Sequence, residues 1–225
     1  MPKFYQNQCW RCDCGRASSF FCESCGALVP VEEGLDYFVL FGVDRTPLLN
    51  DEFVKAKYYE LSRSIHPDLY QGAGQEEKQA SVKNTTMLNQ AYQTFSDPVR
   101  LGQYWLELHG EELGKDNSEI PQELAGFVFE MHEKLAEFRE ATARKKMQLP
   151  ENETGLDELR TMLRKRKGSF MEQLAANFTL WDSEARDGKH SESLLRNLKE
   201  TLSGLAYLRT LDTELEKGSS ESWNI

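Results

Sequence analysis

Apolar side chains recur at helical spacing through most of the chain that follows residue 30. Val54, Tyr58, Leu61 and Ile65 are separated by four, three and four residues, so they lie on one face of an α-helix. We expect this helix to end just before Pro67, because proline disfavours helical geometry at the residue that precedes it. The pattern therefore predicts the first helix of a helical hairpin.

Capping signals mark the ends of the hairpin helices. Asn50 or Asp51 suits the N-cap of the first helix. A second helix follows a glycine-containing loop, and Asp97 and Pro98 suit the N-cap and the first residue of a third helix. We expect this third helix to run to about His109 and to close at the glycine that follows it.

The rest of the chain also carries helical patterns. A short apolar run over residues 36–43 fits a strand or a short helix equally well, and with the hairpin it makes residues 36–109 a compact helical unit. Beyond a polar linker at 111–117, three amphipathic segments cover about residues 118–147, 156–181 and 192–217. Short connections join such segments into an antiparallel three-helix bundle. The predicted fold class is all-α.

All five cysteines lie between positions 9 and 25. Cys9 with Cys12, and Cys22 with Cys25, form two Cys-x-x-Cys pairs separated by nine residues. Zinc prefers four thiolates in a tetrahedron, and each pair supplies two of them from one tight turn. The pattern therefore predicts a small N-terminal module that holds one zinc ion. Because four protein ligands leave no open position, we expect the zinc to be structural.

Two alternatives to this ligand set remain open. Cys14 could replace Cys12, since a glycine follows it, as one follows Cys25. Disulfides or a redox dithiol could use the same cysteines, although an odd number argues against a closed disulfide framework. Whether the module self-associates is also open.

Composition and charge exclude several classes of protein. The 225 residues carry a net charge of −10, which disfavours general binding to nucleic acid or to anionic membranes. The basic run over residues 164–167 is best interpreted as a solvated helix face. No stretch approaches the roughly 18 apolar residues of a membrane span. Residues 1–8 resemble neither a secretory signal nor an organelle import helix, so we expect the protein to work where it is made unless a leader precedes this sequence.

His66, Pro67 and Asp68 stand in the loop of the predicted hairpin. A three-residue string is weak by itself, because the proline could end the helix, the aspartate could bond the loop backbone and the histidine could be an ordinary surface residue. The context changes this interpretation. The preceding helix is locally positive in an acidic chain, with three basic residues against Glu60 over residues 53–65.

A helical hairpin with this loop resembles a J-domain, the module by which co-chaperones stimulate ATP hydrolysis by the seventy-kilodalton heat-shock chaperones. The family uses the tripeptide and the positive helix for that contact. The resemblance implies that the following residues bind the chaperone: His66, Pro67, Asp68, Lys55, Lys57 and Arg63. Many J-domains continue with a lysine after the tripeptide, whereas Leu69 follows here.

Three further strings narrow the resemblance to the HscB family. They are Asp36-Tyr-Phe-x-Leu-Phe-Gly, Leu88-Asn-Gln-Ala-Tyr-Gln-Thr and Tyr104-x-Leu-x-Leu-His-Gly. Members of this family are J-type co-chaperones of iron–sulfur cluster assembly, and the animal and plant members carry a tetracysteine zinc module. The cysteine gap is shorter than the family suggests, and Cys14 is extra. The resemblance implies a zinc module at 1–34, a J-domain at 35–110, a linker at 111–117 and a scaffold-binding bundle at 118–225.

One face of the bundle is a candidate surface for the iron–sulfur scaffold protein. Phe129 lies about 100° away from the apolar stripe of its helix. It is accompanied by Glu130 and Glu133, and Tyr207 lies beside the stripe of the third helix. Partial burial at a broad seam would explain these positions, but an apolar patch with an acidic rim is also a usual protein-binding surface.

The resemblance to the HscB family implies that Phe129, Glu130, Glu133 and Tyr207 bind the scaffold. Family members often carry larger apolar residues where Ala125 and Gly126 stand here.

The resemblance implies a co-chaperone that performs no chemistry of its own. No nucleophile with a readable base and no phosphate-binding loop accompanies the four scattered histidines. The family's zinc-bearing members suggest the mitochondrial matrix, with the cytoplasm as the alternative. A general J-protein adaptor for unfolded clients and a zinc or thiol redox protein remain as the rival interpretations.

Overall fold

The computed structural model describes residues 9–14, 20–111, 113, 121–144, 152–186 and 192–220. Within them the α-helices are α1 (Tyr37–Phe41), α2 (Asp51–Ile65), α3 (Gln75–Phe95), α4 (Pro98–Leu108), α5 (Ala125–Arg144), α6 (Asn152–Arg186) and α7 (Glu192–Ser220). Short 3₁₀ helices span Pro67–Tyr70 and Gln122–Leu124. The all-α class is confirmed. Among the described helices, none is both long and apolar enough to cross a membrane.

The chain divides into two compact units, Met1–Leu101 and Gly102–Ile225. The first holds the cysteine segment and the hairpin of α2 and α3, and the second holds α5, α6 and α7. The boundary falls inside α4, whereas the sequence places the end of the helical unit near residue 109.

Packing within the second unit explains where this boundary lies. Gly102 of α4 would bring an added Cβ to 2.9 Å from the Leu202 side chain, so α4 approaches α7 closely there. The indole of Trp105 meets the indole of Trp181 edge to face, with ring centroids 6.0 Å apart. His109 contacts the same indole at 4.8 Å. The second half of α4 is therefore part of the C-terminal unit.

The hairpin of the first unit begins and ends where its sequence signals predict. The side chain of Asn50 accepts a hydrogen bond from the Phe53 amide at 2.9 Å, so Asn50 is the N-cap of α2. Ile65, the last residue of α2, is fully buried. Asp97 caps α4 by accepting from the Val99 amide at 2.9 Å. These side-chain bonds satisfy amides that a helix leaves unpaired in its first turn.

The ambiguous run before the hairpin is a helix. Asp36 is the N-cap of α1 and accepts from the Phe38 amide at 2.9 Å, while Gly42 ends the helix with a φ of +65°. Phe38 and Phe41 are buried against Phe95 at the end of α3, with ring centroids 4.8 and 5.1 Å away. Tertiary packing against this ring decides between strand and helix, which periodicity alone could not do.

The second unit is built on the apolar stripes that the sequence predicts. The buried stripe of α5 continues from Leu124 through Val128, Met131 and Leu135. Its partner on α7 consists of buried leucines at 194, 198, 202, 205 and 208. α5 begins at Ala125, later than the predicted residue 118, which lies outside the described residues. α6 starts four residues earlier than predicted and runs five residues further.

The basic run of α6 is only half solvated. Arg164 and Lys165 are exposed, as predicted. Arg166 instead donates to the Glu123 carbonyl at 2.8 Å and lies over the Phe170 ring. Lys167 pairs with Asp212 of α7 at 2.7 Å. These two basic side chains therefore tie the helices of the unit together.

Candidate functional site

Four cysteine sulfurs of the N-terminal segment converge on one point. The Sγ atoms of Cys9, Cys12, Cys22 and Cys25 all lie within 4.8 Å of one another. Tetrahedral zinc–thiolate sites place sulfurs about 3.8 Å apart, which follows from a Zn–S distance of about 2.3 Å. The separations of 3.7 Å for Cys9–Cys25 and 3.6 Å for Cys12–Cys22 match that edge. The donor set therefore fits one metal ion, and the cysteines are positioned to bind it.

Two backbone turns hold the sulfurs in place. In the first turn the Asp13 amide donates to the Cys9 carbonyl at 2.9 Å. In the second, the Gly26 amide donates to the Cys22 carbonyl at 2.8 Å, and Gly26 adopts a φ of +68°. Glycine takes this left-handed conformation at no steric cost, which is why one follows Cys25. Each Cys-x-x-Cys pair is thus a closed knuckle that presents two sulfurs.

Hydrogen bonds among the thiols shift their pKa values in opposite directions. Cys14 is the main cause, because its thiol bonds to Cys22 and lowers the pKa of Cys22 to about 6. Backbone amides near Cys25 add to this shift. The pKa of Cys12 is raised, chiefly because Cys12 donates to Cys14. Cys22 therefore carries the thiolate that a metal requires at a lower pH than an ordinary cysteine.

The His66-Pro67-Asp68 loop leaves the end of α2 as a 3₁₀ turn. Nδ1 of His66 accepts a hydrogen bond from the Asp68 amide at 3.3 Å, so the proton of a neutral ring sits on Nε2. The Leu69 amide closes the turn by donating to the His66 carbonyl at 3.0 Å. The side chains of His66 and Asp68 are 49% and 75% exposed. The loop therefore offers Nε2–H and a carboxylate to a partner.

Hydrogen bonds from Ser81 and Tyr70 hold the His66-Pro67-Asp68 loop in position. The Ser81 hydroxyl of α3 donates to the Ile65 carbonyl at 2.6 Å, and both residues are buried. The Tyr70 hydroxyl donates to the Ser64 carbonyl at 3.0 Å. Burial and then the Glu77 carboxylate raise the pKa of Tyr70, so this phenol remains a donor. The tripeptide is thus held between the end of α2 and the start of α3.

The basic residues of α2 differ in how accessible their side chains are to a partner. Lys55 and Arg63 are exposed. Lys57 is half-buried, and its Nζ lies 3.1 Å from both carboxylate oxygens of Glu60. α2 packs on α3 through Tyr58, whose ring stacks on Tyr92 with centroids 4.2 Å apart. Lys55 and Arg63 therefore carry the accessible positive charge of this helix.

Phe129 is the most exposed of the large apolar side chains that the structure describes, at 72%. Glu130 and Glu133 are exposed beside it on α5, and Glu130 lies 3.6 Å from Lys134. Ala125 and Gly126 are exposed as well. We call Phe129, Glu130, Glu133 and Tyr207 the Phe129 face.

Phe129 and Tyr207 lie on different helices of the second unit, α5 and α7. Met131, His132 and Leu135 of α5 line one crevice with Leu211, Glu214 and Leu215 of α7, so these helices are neighbours. Phe129 precedes His132 by three residues, and Tyr207 precedes Leu211 by four, which is about one helical turn in each case. Each of the two residues therefore lies about one turn from a residue that lines the crevice, and Tyr207 is half-buried.

Comparison with known proteins finds relatives that cover most of this chain. A human protein named iron–sulfur cluster co-chaperone HscB is 27% identical over 214 residues, which cover 93% of this chain and 81% of the relative. The mouse protein of the same name is 27% identical over 215 residues. An Arabidopsis homologue of HscB is 24% identical over 135 residues and matches 60% of this chain. Over most of its length, this chain is similar to the HscB co-chaperones.

Solved HscB structures share the fold. The crystal structure of human HscB superposes with a TM-score of 0.71 at 24% identity and covers 93% of this chain and 97% of that one. HscB from Vibrio cholerae gives 0.64 at 22% identity, covering 83% of this chain and 99% of that one. No protein-family model matches the chain. The predicted relationship to HscB is confirmed, and the structural likeness supports the fold.

Two buried polar residues of α3 escaped the sequence analysis. Asn84 is fully buried, accepts from the Val31 amide and donates to the Val29 carbonyl, each at 2.9 Å. It thereby docks the end of the cysteine segment on α3. Ser81 anchors the tripeptide loop through its hydrogen bond to the Ile65 carbonyl. A signal for their burial was present in the sequence. Ser81 and Asn84 are three residues apart and lie on the same helix face as the apolar residue Leu88.

Proposed function

We propose that this protein is a co-chaperone that stimulates ATP hydrolysis by a seventy-kilodalton heat-shock chaperone and brings an iron–sulfur cluster scaffold protein to it. The observation that carries the proposal is the exposed His66-Pro67-Asp68 loop of a helical hairpin, in a chain homologous to HscB over 93% of its length. Stimulation of this kind needs binding surfaces and no catalytic group of the protein's own.

The chaperone contact that we propose consists of the loop and the exposed basic side chains of α2. His66 offers Nε2–H, Asp68 offers a carboxylate, and Lys55 and Arg63 supply positive charge. Exposed charges of this kind speed encounter with an acidic surface more than they add affinity. We include Pro67, which fixes the turn, and Lys57, although Glu60 already pairs with it. The residues that contact the chaperone would then lie within a J-domain over 35–110.

Steady-state ATP turnover by a chaperone of this class tests the proposal. His66→Gln should abolish the stimulation, because the change removes the ring that closes the loop and presents Nε2–H. His132→Gln is the matched control, since His132 is exposed on α5, far along the chain from the loop. The control should stimulate as well as the unchanged protein. Equal stimulation by His66→Gln and the control would show that the loop plays no part.

The scaffold-binding surface that we propose is the Phe129 face. It combines a 72% exposed aromatic ring with exposed carboxylates, which is how binding patches on soluble proteins are composed. The small residues Ala125 and Gly126 leave space beside the ring, and an added Cβ on Gly126 would meet nothing within 4 Å. A partner's apolar side chain could therefore lie over this part of α5, within a bundle over 118–225.

Calorimetric titration with a cluster scaffold protein tests this surface. Truncating a central aromatic anchor usually costs more than about 1.4 kcal/mol, which is a factor of ten in Kd. Phe129→Ala and Tyr207→Ala together should therefore weaken binding at least about tenfold by that rule. Leu180→Ala is the control, because Leu180 is 50% exposed on α6. Unchanged affinity in the double variant would refute the assignment, and binding to many unfolded proteins without preference would favour a general adaptor.

The metal that we propose for the four cysteines is one structural zinc ion, held by Cys9, Cys12, Cys22 and Cys25 in a module over 1–34. Sulfur donors at tetrahedral spacing suit zinc, and four protein ligands leave no position for a substrate. Zinc would fix the two knuckles relative to each other. Elemental analysis of protein purified without chelator should give about one zinc per chain, as a closed four-ligand site requires.

We place the protein in the mitochondrial matrix on the strength of its resemblance to the zinc-bearing HscB proteins, with the cytoplasm as the alternative. The cysteines support either compartment, because both keep structural thiols reduced. Fractionation of cells followed by protease protection of intact mitochondria tests the assignment. Signal that protease removes without detergent would contradict it.

A further inference from the structure

Cys14 is a fifth thiol in the cysteine cluster, and it stands outside the two Cys-x-x-Cys pairs. Its Sγ lies 3.0 Å from Cys12 Sγ and 3.1 Å from Cys22 Sγ. It is half-buried, whereas Cys22 is buried and Cys12 is exposed. Cys14 therefore touches one sulfur from each knuckle.

These short distances keep Cys14 out of the metal's coordination sphere. Two sulfurs that bind the same tetrahedral ion stand about 3.8 Å apart. The Cys9–Cys25 and Cys12–Cys22 separations of 3.7 and 3.6 Å meet this requirement. Cys14 is too close to both of its neighbours to share an ion with them. It is a thiol packed against the ligand set.

We propose that Cys14 is an oxidation-sensitive thiol that forms a disulfide with Cys22 and thereby takes a ligand away from the metal. The oxidant is hydrogen peroxide. The Cys14 thiol loses its proton to water, and the resulting thiolate attacks one peroxide oxygen. The O–O bond breaks, hydroxide leaves, and Cys14 becomes a sulfenic acid. The Cys22 thiolate then attacks this sulfur, the S–O bond breaks, and a second hydroxide leaves. The two thiols lose two electrons and two protons, and the peroxide becomes two waters.

Cys22 is a better partner for Cys14 than Cys12 is. Cys12 and Cys14 are separated by a single residue, so a disulfide between them would close a small strained ring. The hydrogen bond from the Cys9 amide to the Cys14 carbonyl, at 2.9 Å, further fixes the turn that holds both. Cys14 follows the first knuckle and Cys22 belongs to the second, and bonding requires their sulfurs to approach by only about 1 Å.

Disulfide formation would open the metal site. Three sulfurs would remain, and a zinc ion with three thiolates binds more weakly than one with four. A thiol reductant would restore Cys22 and the complete site. This inference rests on the proposed metal site, and it is independent of the co-chaperone function.

Zinc release under peroxide tests the inference on the full-length protein. The unchanged chain and Cys14→Ser are loaded with zinc, treated with hydrogen peroxide and followed with a zinc-sensitive dye. Cys14→Ser keeps all four ligands, so it should bind one zinc before oxidation. It should then release zinc at least about tenfold more slowly, because it lacks a preplaced disulfide partner. Circular dichroism before oxidation checks that the variant is folded.

Non-reducing peptide mapping of the oxidised unchanged chain provides a measurement that needs no variant. It should show a Cys14–Cys22 disulfide, with a mass loss of about 2 Da for two hydrogens. A Cys12–Cys14 or Cys12–Cys22 disulfide would overturn the pairing, and equal release from Cys14→Ser would overturn the role of Cys14. A folded Cys14→Ser chain that binds no zinc would make Cys14 a ligand and also overturn it. An unchanged chain without zinc would instead refute the metal site.

Discussion

Gly204 of α7 leaves no room for a side chain at its contact with α6. A Cβ added there would stand 2.2, 2.8 and 2.9 Å from three atoms of the Phe170 ring, where ordinary carbon contacts need about 3.5–4.0 Å. The ring is only 2% exposed, so it has little space into which it can move. Gly204→Ala must therefore shift the ring or the helix by more than about 1 Å to restore normal contact.

The net effect of Gly204→Ala is the difference between two opposing contributions. Replacing glycine by alanine inside a helix stabilises by about 1 kcal/mol. Overpacking a buried site costs about 1–3 kcal/mol, and a 2.2 Å approach belongs at the upper end of that range. We expect the free energy of unfolding to fall by about 1–2 kcal/mol. Gly168→Ala in α6 is the control, because a Cβ there meets nothing within 4 Å and should stabilise by up to about 1 kcal/mol.

Urea unfolding followed by tryptophan fluorescence measures both variants. Trp105 and Trp181 contact each other in the same unit as Gly204, so their emission reports its unfolding. The midpoint should fall for Gly204→Ala and rise for Gly168→Ala, with unchanged slopes. If both variants were stabilised alike, the close approach of α7 to Phe170 would be refuted.

Three further predictions concern the first unit. Asn84→Ala should lower the free energy of unfolding by about 2–4 kcal/mol, because it leaves the buried Val31 amide and Val29 carbonyl without partners. The measurement is urea unfolding. A loss below about 0.5 kcal/mol would contradict the docking of the cysteine segment on α3 through Asn84. Ser81→Ala should weaken ATPase stimulation although His66 is intact, since its hydroxyl fixes the carbonyl before the loop; unchanged stimulation would argue against that support. Removing the metal with a chelator should leave far-ultraviolet circular dichroism nearly unchanged, because every described helix begins after the cysteine segment, and a large helical loss would contradict this.

Local signals were sufficient to predict the helices and several of their ends. Asn50, Asp97 and the residue before Pro67 mark helix boundaries through bonds and steric limits that span four residues or fewer. The convergence of Cys9, Cys12, Cys22 and Cys25 was also predictable, because each Cys-x-x-Cys turn brings two sulfurs together. Such features depend on neighbouring residues, so the sequence pattern is enough.

Contacts between distant parts of the chain were not predictable in this way. The bond between Asn84 and the backbone at Val29 joins residues 55 positions apart, and no periodicity encodes it. The packing of Gly102 and Trp105 with the C-terminal helices likewise moved the unit boundary into α4. The closeness of Cys14 to Cys22 depends on how the two knuckles face each other, which their separate spacings leave undetermined.

The central claim is that one molecule binds both partners. It binds the chaperone through the His66-Pro67-Asp68 loop and the scaffold protein through the Phe129 face. Joining the sites raises the local concentration of scaffold at the chaperone, an effect that separate molecules lack. The direct measurement is chaperone ATP turnover with a fixed, limiting amount of scaffold protein. It compares the unchanged chain with an equimolar mixture of His66→Gln and Phe129→Ala chains, in which each site is intact on a different molecule. We predict that scaffold increases turnover with the unchanged chain and leaves the mixture at the level of Phe129→Ala alone. Full scaffold-dependent turnover in the mixture would contradict the account.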